Sequence, residues 1–162
     1  MAPEEAQREF DRLRDLYIRE LESTGGAKSM KTILMSIRAR HIRNMRKGRK
    51  GWEIRKTCPK IAPPFRVQLC ESGSGGKVTA MFTCTECLDV TDYPAERIAK
   101  MASITREEAE GYKAKGRGRL YAWKVDRFYD KRPGCWVNHV TDYGVNRPPQ
   151  SWCYVKEAVE NA

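Results

Sequence analysis

Gly48-Arg49-Lys50-Gly51-Trp52-Glu53-Ile54-Arg55 sets an ammonium, a carboxylate and a guanidinium close together in the spacing G-x-K-x-x-E-x-R. Such a trio can hold an anion, relay a proton or stabilise charge developing on a phosphoryl group. Lys50 and Glu53 are the candidates for any catalytic role. The string follows a short apolar run, Ile33-Leu34-Met35-Ser36-Ile37, and a basic stretch ending at Lys47. A strand leading into a helix is predicted, with Gly48 ending the helix in a left-handed conformation and a second strand starting near Trp52. Period-2 alternation puts Trp52 and Ile54 on one face of that strand and Glu53 and Arg55 on the other. Glu53 and Arg55 are then within reach of a carboxylate–guanidinium contact. Lys50 is read as part of a solvent-facing turn just before them. The plainer alternative is a solvated basic helix with a surface ion pair of little worth.

Charge is concentrated around this string. The chain carries a formal +10, and Arg38 to Lys60 holds ten basic residues against one acid, Glu53. A second basic cluster comprises Lys113, Lys115, Arg117 and Arg119, whereas the first 22 residues are net acidic. Concentrated positive charge favours polyanions through counterion release, and nucleic acid is the common partner. Aromatic residues interleave with the basic ones (Trp52, Tyr121, Trp123, Trp152), and unpaired bases stack on such rings. Candidate nucleic-acid contacts are Arg38, Arg40, Arg43, Lys47 and Arg49 around the helix and Lys50, Glu53 and Arg55 at the turn. Trp123, Gln150, Ser151 and Trp152 complete the set.

The stretch ILMSIRARHIRNMRKGRKGWEIRKTCPK, ending at Lys60, resembles the opening of ASCH domains, relatives of the PUA RNA-binding fold. In that family a strand, a helix and the G-x-K-x-x-E-x-R turn come in this order. Tyr121-Ala122-Trp123-Lys124-Val125 and Arg147-Pro148-Pro149-Gln150-Ser151-Trp152-Cys153-Tyr154-Val155 resemble the closing strands of small bacterial and phage ASCH proteins. The resemblance implies an α+β fold, a small PUA-like β-barrel of five or six strands with short flanking helices. It also implies binding of RNA, single-stranded nucleic acid or a nucleotide in a cleft beside the turn. Two other readings come with it: a hydrolase acting on RNA or a modified nucleoside, and a phage or prophage protein that binds a host nucleic-acid-handling complex. In the amidohydrolase branch a threonine nucleophile stands three residues after the lysine. Glu53 occupies that position here, so the branch's mechanism does not carry over.

At 162 residues and 40% apolar content, the chain suits one compact core with an appendage. Ala6, Phe10, Leu13, Tyr17 and Leu21 recur at helical spacing, so residues 1–29 are read as an N-terminal amphipathic helix and linker. That helix is a possible protein contact. The ASCH-like domain is placed at 30–157 and a tail at 158–162. Within the domain, strands are expected at Phe65–Leu69, Lys77–Cys84, Arg119–Phe128 and Trp152–Val155. Helices are expected at Ala95–Ala102 and from a Thr105–Glu108 capping box to about Lys115. Asp130 to Pro149 is read as a long irregular loop. No apolar run approaches membrane-spanning length, and the acidic start lacks a secretory h-region. A soluble, cytoplasmic protein with reduced cysteines is expected.

Cys84-Thr85-Glu86-Cys87 is a lone C-x-x-C, with Cys135 and His139 as conceivable further ligands. A tetrahedral zinc site needs four ligands, and no second pair shows the usual tight spacing, so no metal or other cofactor is expected. His41 is read as one more polar group on the surface of the basic helix.

Overall fold

The computed structural model describes residues 2–23, 30–115, 118–131 and 137–155. The linker at 24–29, Cys135 and the tail at 158–162 lie outside the described residues. Helix α1 spans Pro3–Ser23. The body is a mixed sheet built from β1 (Thr32–Ile37), β2 (Trp52–Arg55), β3 (Phe65–Glu71), β4 (Lys77–Asp89), β5 (Tyr121–Asp130), β6 (Asn138–His139) and β7 (Trp152–Tyr154). Helix α2 (Ala39–Arg46) lies between β1 and β2 in the chain, and α3 (Ala95–Ala102) and α4 (Arg106–Lys115) lie between β4 and β5.

The strand order is β2-β5-β4-β3-β1-β7, with the short β6 added to β4. Among the described residues only β1 and β3 run parallel, Thr32 opposite Arg66. The long β4 carries register shifts against β5 between Met81 and Thr83 and between Cys84 and Cys87. Such bulges bend a strand and raise its twist, and the sheet curls into a half-barrel. β4 runs on to Asp89, past the expected end at Cys84, and the long loop contains β6 and a 3₁₀ turn at Val140–Tyr143. Both additions depend on pairing with residues far away in the chain, which local alternation does not report.

The main core cluster holds Ile33, Met35, Phe65, Val67, Phe82 and Trp123, closed by Ile42 and Met45 of α2. A second cluster under α3 and α4 gathers Ile54, Ile98, Leu120 and Ala122. Trp123 is fully buried and packs edge-on against Phe65 and Trp152, with ring centroids 5.7 and 5.5 Å apart. Its indole N–H donates to the Thr57 carbonyl at 3.2 Å, and that of Trp152 donates to Thr57 Oγ1 at 2.9 Å. Trp123 therefore offers no ring face to a ligand, which corrects the sequence expectation: an inward position on a central strand outweighs the adjacent charge. On α1, Leu13 and Leu16 are exposed.

One charged group is buried outside the cleft described below. Lys131 is 1% exposed, and its ammonium donates to Gln68 Oε1 and Asn138 Oδ1 at 2.8 Å and to Tyr143 Oη at 3.2 Å. Burial pulls its pKa down to about 7.

Two outcomes follow from this packing. Trp123→Ala should lower unfolding free energy by ~3–5 kcal/mol in urea titrations, the range for an aromatic core truncation; a loss under ~1 kcal/mol would contradict its place in the core. Between pH 7 and 10.5 the unfolded chain keeps the Lys131 proton that the folded chain sheds, so folding stability rises with pH across that window. The stability difference between the native protein and Lys131→Met should therefore shift in favour of the native chain from pH 7 to 10. A pH-independent difference would contradict the burial effect.

Candidate functional site

A cleft of about 840 Å³ opens between the start of α2, strand β2, helix α4 and the segment at Gln150 and Ser151. The Gly48 turn leads from α2 into β2, the strand that lines it. Helix α2 ends there because Gly48 takes φ 70°, which costs glycine nothing. The reversed chain donates Arg49 and Lys50 N–H to the Asn44 carbonyl at 2.9 and 3.2 Å. Strand β2 then pairs with β5, Glu53 opposite Trp123. Trp52 and Ile54 pack on the α3–α4 cluster, and Glu53 and Arg55 line the cleft.

Glu53 is 4% exposed and Lys50 3% exposed. Lys50 Nζ lies 3.4 Å from Glu53 Oε2 and donates to the Ala102 carbonyl at 2.6 Å, where the last turn of α3 presents unsatisfied carbonyls. Arg55 Nε donates to Glu53 Oε1 at 3.2 Å. The same guanidinium donates to the Ser36 carbonyl at 2.8 Å and to Ser151 Oγ at 3.1 Å. Burial works to raise the Glu53 pKa, but the Lys50 ammonium and the Arg55 guanidinium outweigh it and hold the carboxyl below its usual range. Burial also pulls the Lys50 ammonium down despite Glu53. Lys50 is thus no part of a solvent-facing turn. Its charge is sunk into the fold because a helix end and a carboxylate both receive it.

The walls bring in Glu108, Tyr112 and His41, which the sequence reading did not assign to the site. Arg40 and Glu108 meet across the cleft in a two-pronged contact of 3.0 and 2.7 Å, and the Arg40 guanidinium holds the Glu108 carboxyl down at about 2. Thr105 Oγ1 caps α4 by accepting the Glu108 N–H at 3.1 Å, so the residue it caps is the one that faces Arg40. Tyr112, one turn further along α4, lies half-buried in the same wall. His41 is buried rather than on the surface. Burial, aided by the Lys50 ammonium, lowers its pKa to about 4, so it is neutral near pH 7. A signal for His41 was present: it stands four residues before the core residue Met45, on the same helix face.

Of the remaining sequence candidates, Arg38, Arg40, Gln150 and Ser151 line the cleft with Glu53 and Arg55. The Ser36 hydroxyl donates to the Pro149 carbonyl at 2.6 Å, and Ser36 N–H donates to the Ser151 carbonyl at 2.9 Å, which pins that segment to β1. Arg43, Lys47 and Arg49 are exposed and stand outside the lining. Trp152 is half-buried behind Thr57 and also stands outside it. Helical spacing turns that part of α2 and its end away from the mouth.

The metal candidates separate. Cys84 Sγ and Cys87 Sγ are 3.7 Å apart. His139 pairs opposite Lys77, seven residues back along β4 from Cys84 and ~23 Å away at strand rise. Its imidazole is engaged with the Gly75 carbonyl at 2.8 Å and Thr141 Oγ1 at 2.9 Å. Burial raises the Cys58 thiol to about 12, with the Cys87 thiol beside it adding to the shift. Among the described residues no group of three such side chains is placed to hold a metal ion.

No protein-family profile and no curated protein sequence matches this chain. Solved structures do. The crystal structure of an ASCH protein from Zymomonas mobilis matches with a TM-score of 0.65 at 16% identity, covering 81% of this chain and 92% of that one. A tyrosine-to-phenylalanine variant of that protein gives a TM-score of 0.66 at 15% identity, over 81% of this chain and 94% of the other. A serine-to-alanine variant gives 0.67 at 14%, over 81% and 92%. The chain has the ASCH fold, a PUA-like α+β architecture. No helix among the described residues is long and apolar enough to cross a membrane.

Because Lys50 and Glu53 are buried together, removing either leaves an uncompensated charge. Lys50→Ala and Glu53→Ala should each cost ~3–5 kcal/mol of folding stability, in place of the intact fold expected from a surface turn. The double variant should cost clearly less than the sum, because the second change removes the charge that the first stranded. Additive losses, or losses under ~1 kcal/mol, in urea unfolding would contradict the arrangement.

Proposed function

We propose that this protein binds RNA or a nucleotide in the cleft, and takes unpaired rather than duplex nucleic acid. The observation that carries the reading is the charge of the lining. Arg38, Arg40, Arg55, Lys56 and Lys115 face the cleft against two acids, Glu53 and Glu108, each of which is already engaged by a cation. The cleft volume falls within the range of small-molecule sites, ~300–1,000 Å³, which suits one or two nucleotides better than a helix. The ASCH fold supports a nucleic-acid or nucleotide ligand, and a cytoplasmic setting belongs to the same reading. Glu53 acts here as the group that positions Arg55, since a carboxylate held between two cations makes a poor acid or base near neutrality.

Binding of single-stranded RNA, single-stranded DNA and duplex DNA at two salt concentrations tests this. Unpaired RNA should bind tightest. With about three phosphates neutralised at the rim, affinity should fall ~18-fold between 50 and 200 mM salt. Lys56→Ala and Lys115→Ala should each flatten the salt slope, by ~0.7, without changing the preference for unpaired strands. Salt-independent binding, or tighter binding of duplex, would sink the reading.

A further inference from the structure

The cleft is not uniform from rim to floor. Arg38, Lys56 and Lys115 are exposed at the rim and make no ion pair among the described residues. The deeper cations are committed: Lys50, buried behind Glu53, to Ala102 and Glu53, and Arg55 in the lining to Glu53, Ser36 and Ser151. A phosphate pushed to the floor would meet the Glu53 carboxylate and find no free cation. Phosphate therefore belongs at the rim.

What the floor offers is polar, with no free cation among the described residues. His41 is 6% exposed and lines the cleft, yet its Nδ1 is buried without a hydrogen-bond partner. A buried imidazole with an unmet nitrogen costs free energy unless something supplies the bond. Beside it, Glu53 Oε2 also lacks a well-formed hydrogen bond, with only the Lys50 ammonium 3.4 Å away. Tyr112 supplies an aromatic ring in the adjoining wall. An acceptor oxygen, an uncharged ring that donates at one nitrogen and accepts at the other, and an aromatic ring match the edge and the face of a nucleobase.

We infer that the cleft divides its ligand: an unpaired nucleobase enters the floor, stacked on Tyr112 and read at its edge by His41, while its phosphate stays at the rim with Arg38, Lys56 and Lys115. This rests on the reading that the cleft binds nucleotides, and it assigns His41 as the residue that discriminates between bases. A neutral imidazole is the appropriate reader there, because an imidazolium would add a fourth cation to Lys50, Arg40 and Arg55. The neutral ring does hold at neutral pH, as its lowered pKa requires.

The test compares the four nucleoside 5′-monophosphates with ribose 5-phosphate and inorganic phosphate, by calorimetry on the full chain. The native protein should bind the nucleotides about tenfold or more tighter than ribose 5-phosphate, the size of a base-stacking contribution. Tyr112→Ala should lose about that factor for all four bases, whereas Tyr112→Phe should keep it. His41→Phe keeps a planar aromatic ring, somewhat larger, and removes hydrogen bonding, and should shrink the spread between bases to about twofold while the salt dependence persists. Since a substitution at a buried position can disturb folding, the native protein gives a second readout. It has two histidines, so their ring nitrogens are readily distinguished by NMR. Nucleotides should shift the His41 ring signals and leave those of His139 unmoved, and ribose 5-phosphate should move neither. Nucleotides bound no tighter than ribose 5-phosphate, or an unmoved His41 with nucleotide bound, would overturn the inference alone. A native protein that binds no nucleotide would overturn the underlying reading as well.

Discussion

The Glu53 carboxylate, buried between the Lys50 ammonium and the Arg55 guanidinium, is the interaction on which the rest of the site depends. Each cation spends its remaining hydrogen bonds on a different part of the chain. Lys50 fastens the Gly48 turn to the end of α3, and Arg55 fastens β2 to β1 and to Ser151. The sheet order begins at β2 and ends at β7, and among the described residues no ladder joins the two edges. Arg55 spans that gap with side-chain bonds, at the very place where the cleft opens. Desolvating three charges is expensive, and such a cluster holds only when extra hydrogen bonds complete it. The main-chain carbonyls of Ala102 and Ser36 supply them.

The same arrangement explains why a cleft rich in arginine and lysine is differentiated rather than merely basic. Charges at the floor are consumed internally, and those at the rim are free to meet solvent or an anion. Arg40 and Glu108 form a neutral wall between the two zones. Long-range attraction then comes from the rim, where salt screens it. On the proposed reading, selectivity comes from the floor, where burial makes each unmet hydrogen bond costly.

Much of this was legible in the sequence wherever the signal was local. Gly48 marked the end of α2, and strand alternation separated Trp52 and Ile54 from Glu53 and Arg55. The segment from Arg147 to Val155 carried the likeness to ASCH proteins. What escaped detection depended on distant partners. Lys50 is buried because the Ala102 carbonyl, 52 residues away, receives it. Glu108 showed its capping role to its neighbours in sequence but not its contact with Arg40, 68 residues away. The indole rings of Trp123 and Trp152 could serve core or ligand equally by type, and only the three-dimensional environment places Trp123 inside. His139 and Cys84 are conceivable co-ligands until the register of β6 against β4 sets them at different ends of the strand.

The most direct test of the cleft as the binding site is amide chemical-shift mapping by NMR, with a short single-stranded RNA added to the native chain. The account predicts that shifts converge from elements far apart in sequence, at Ser36, Thr57, Gly111 and Ser151, which share the cleft. Shifts confined to the exposed end of α2, around Arg43 and Lys47, with the cleft amides unmoved, would contradict it.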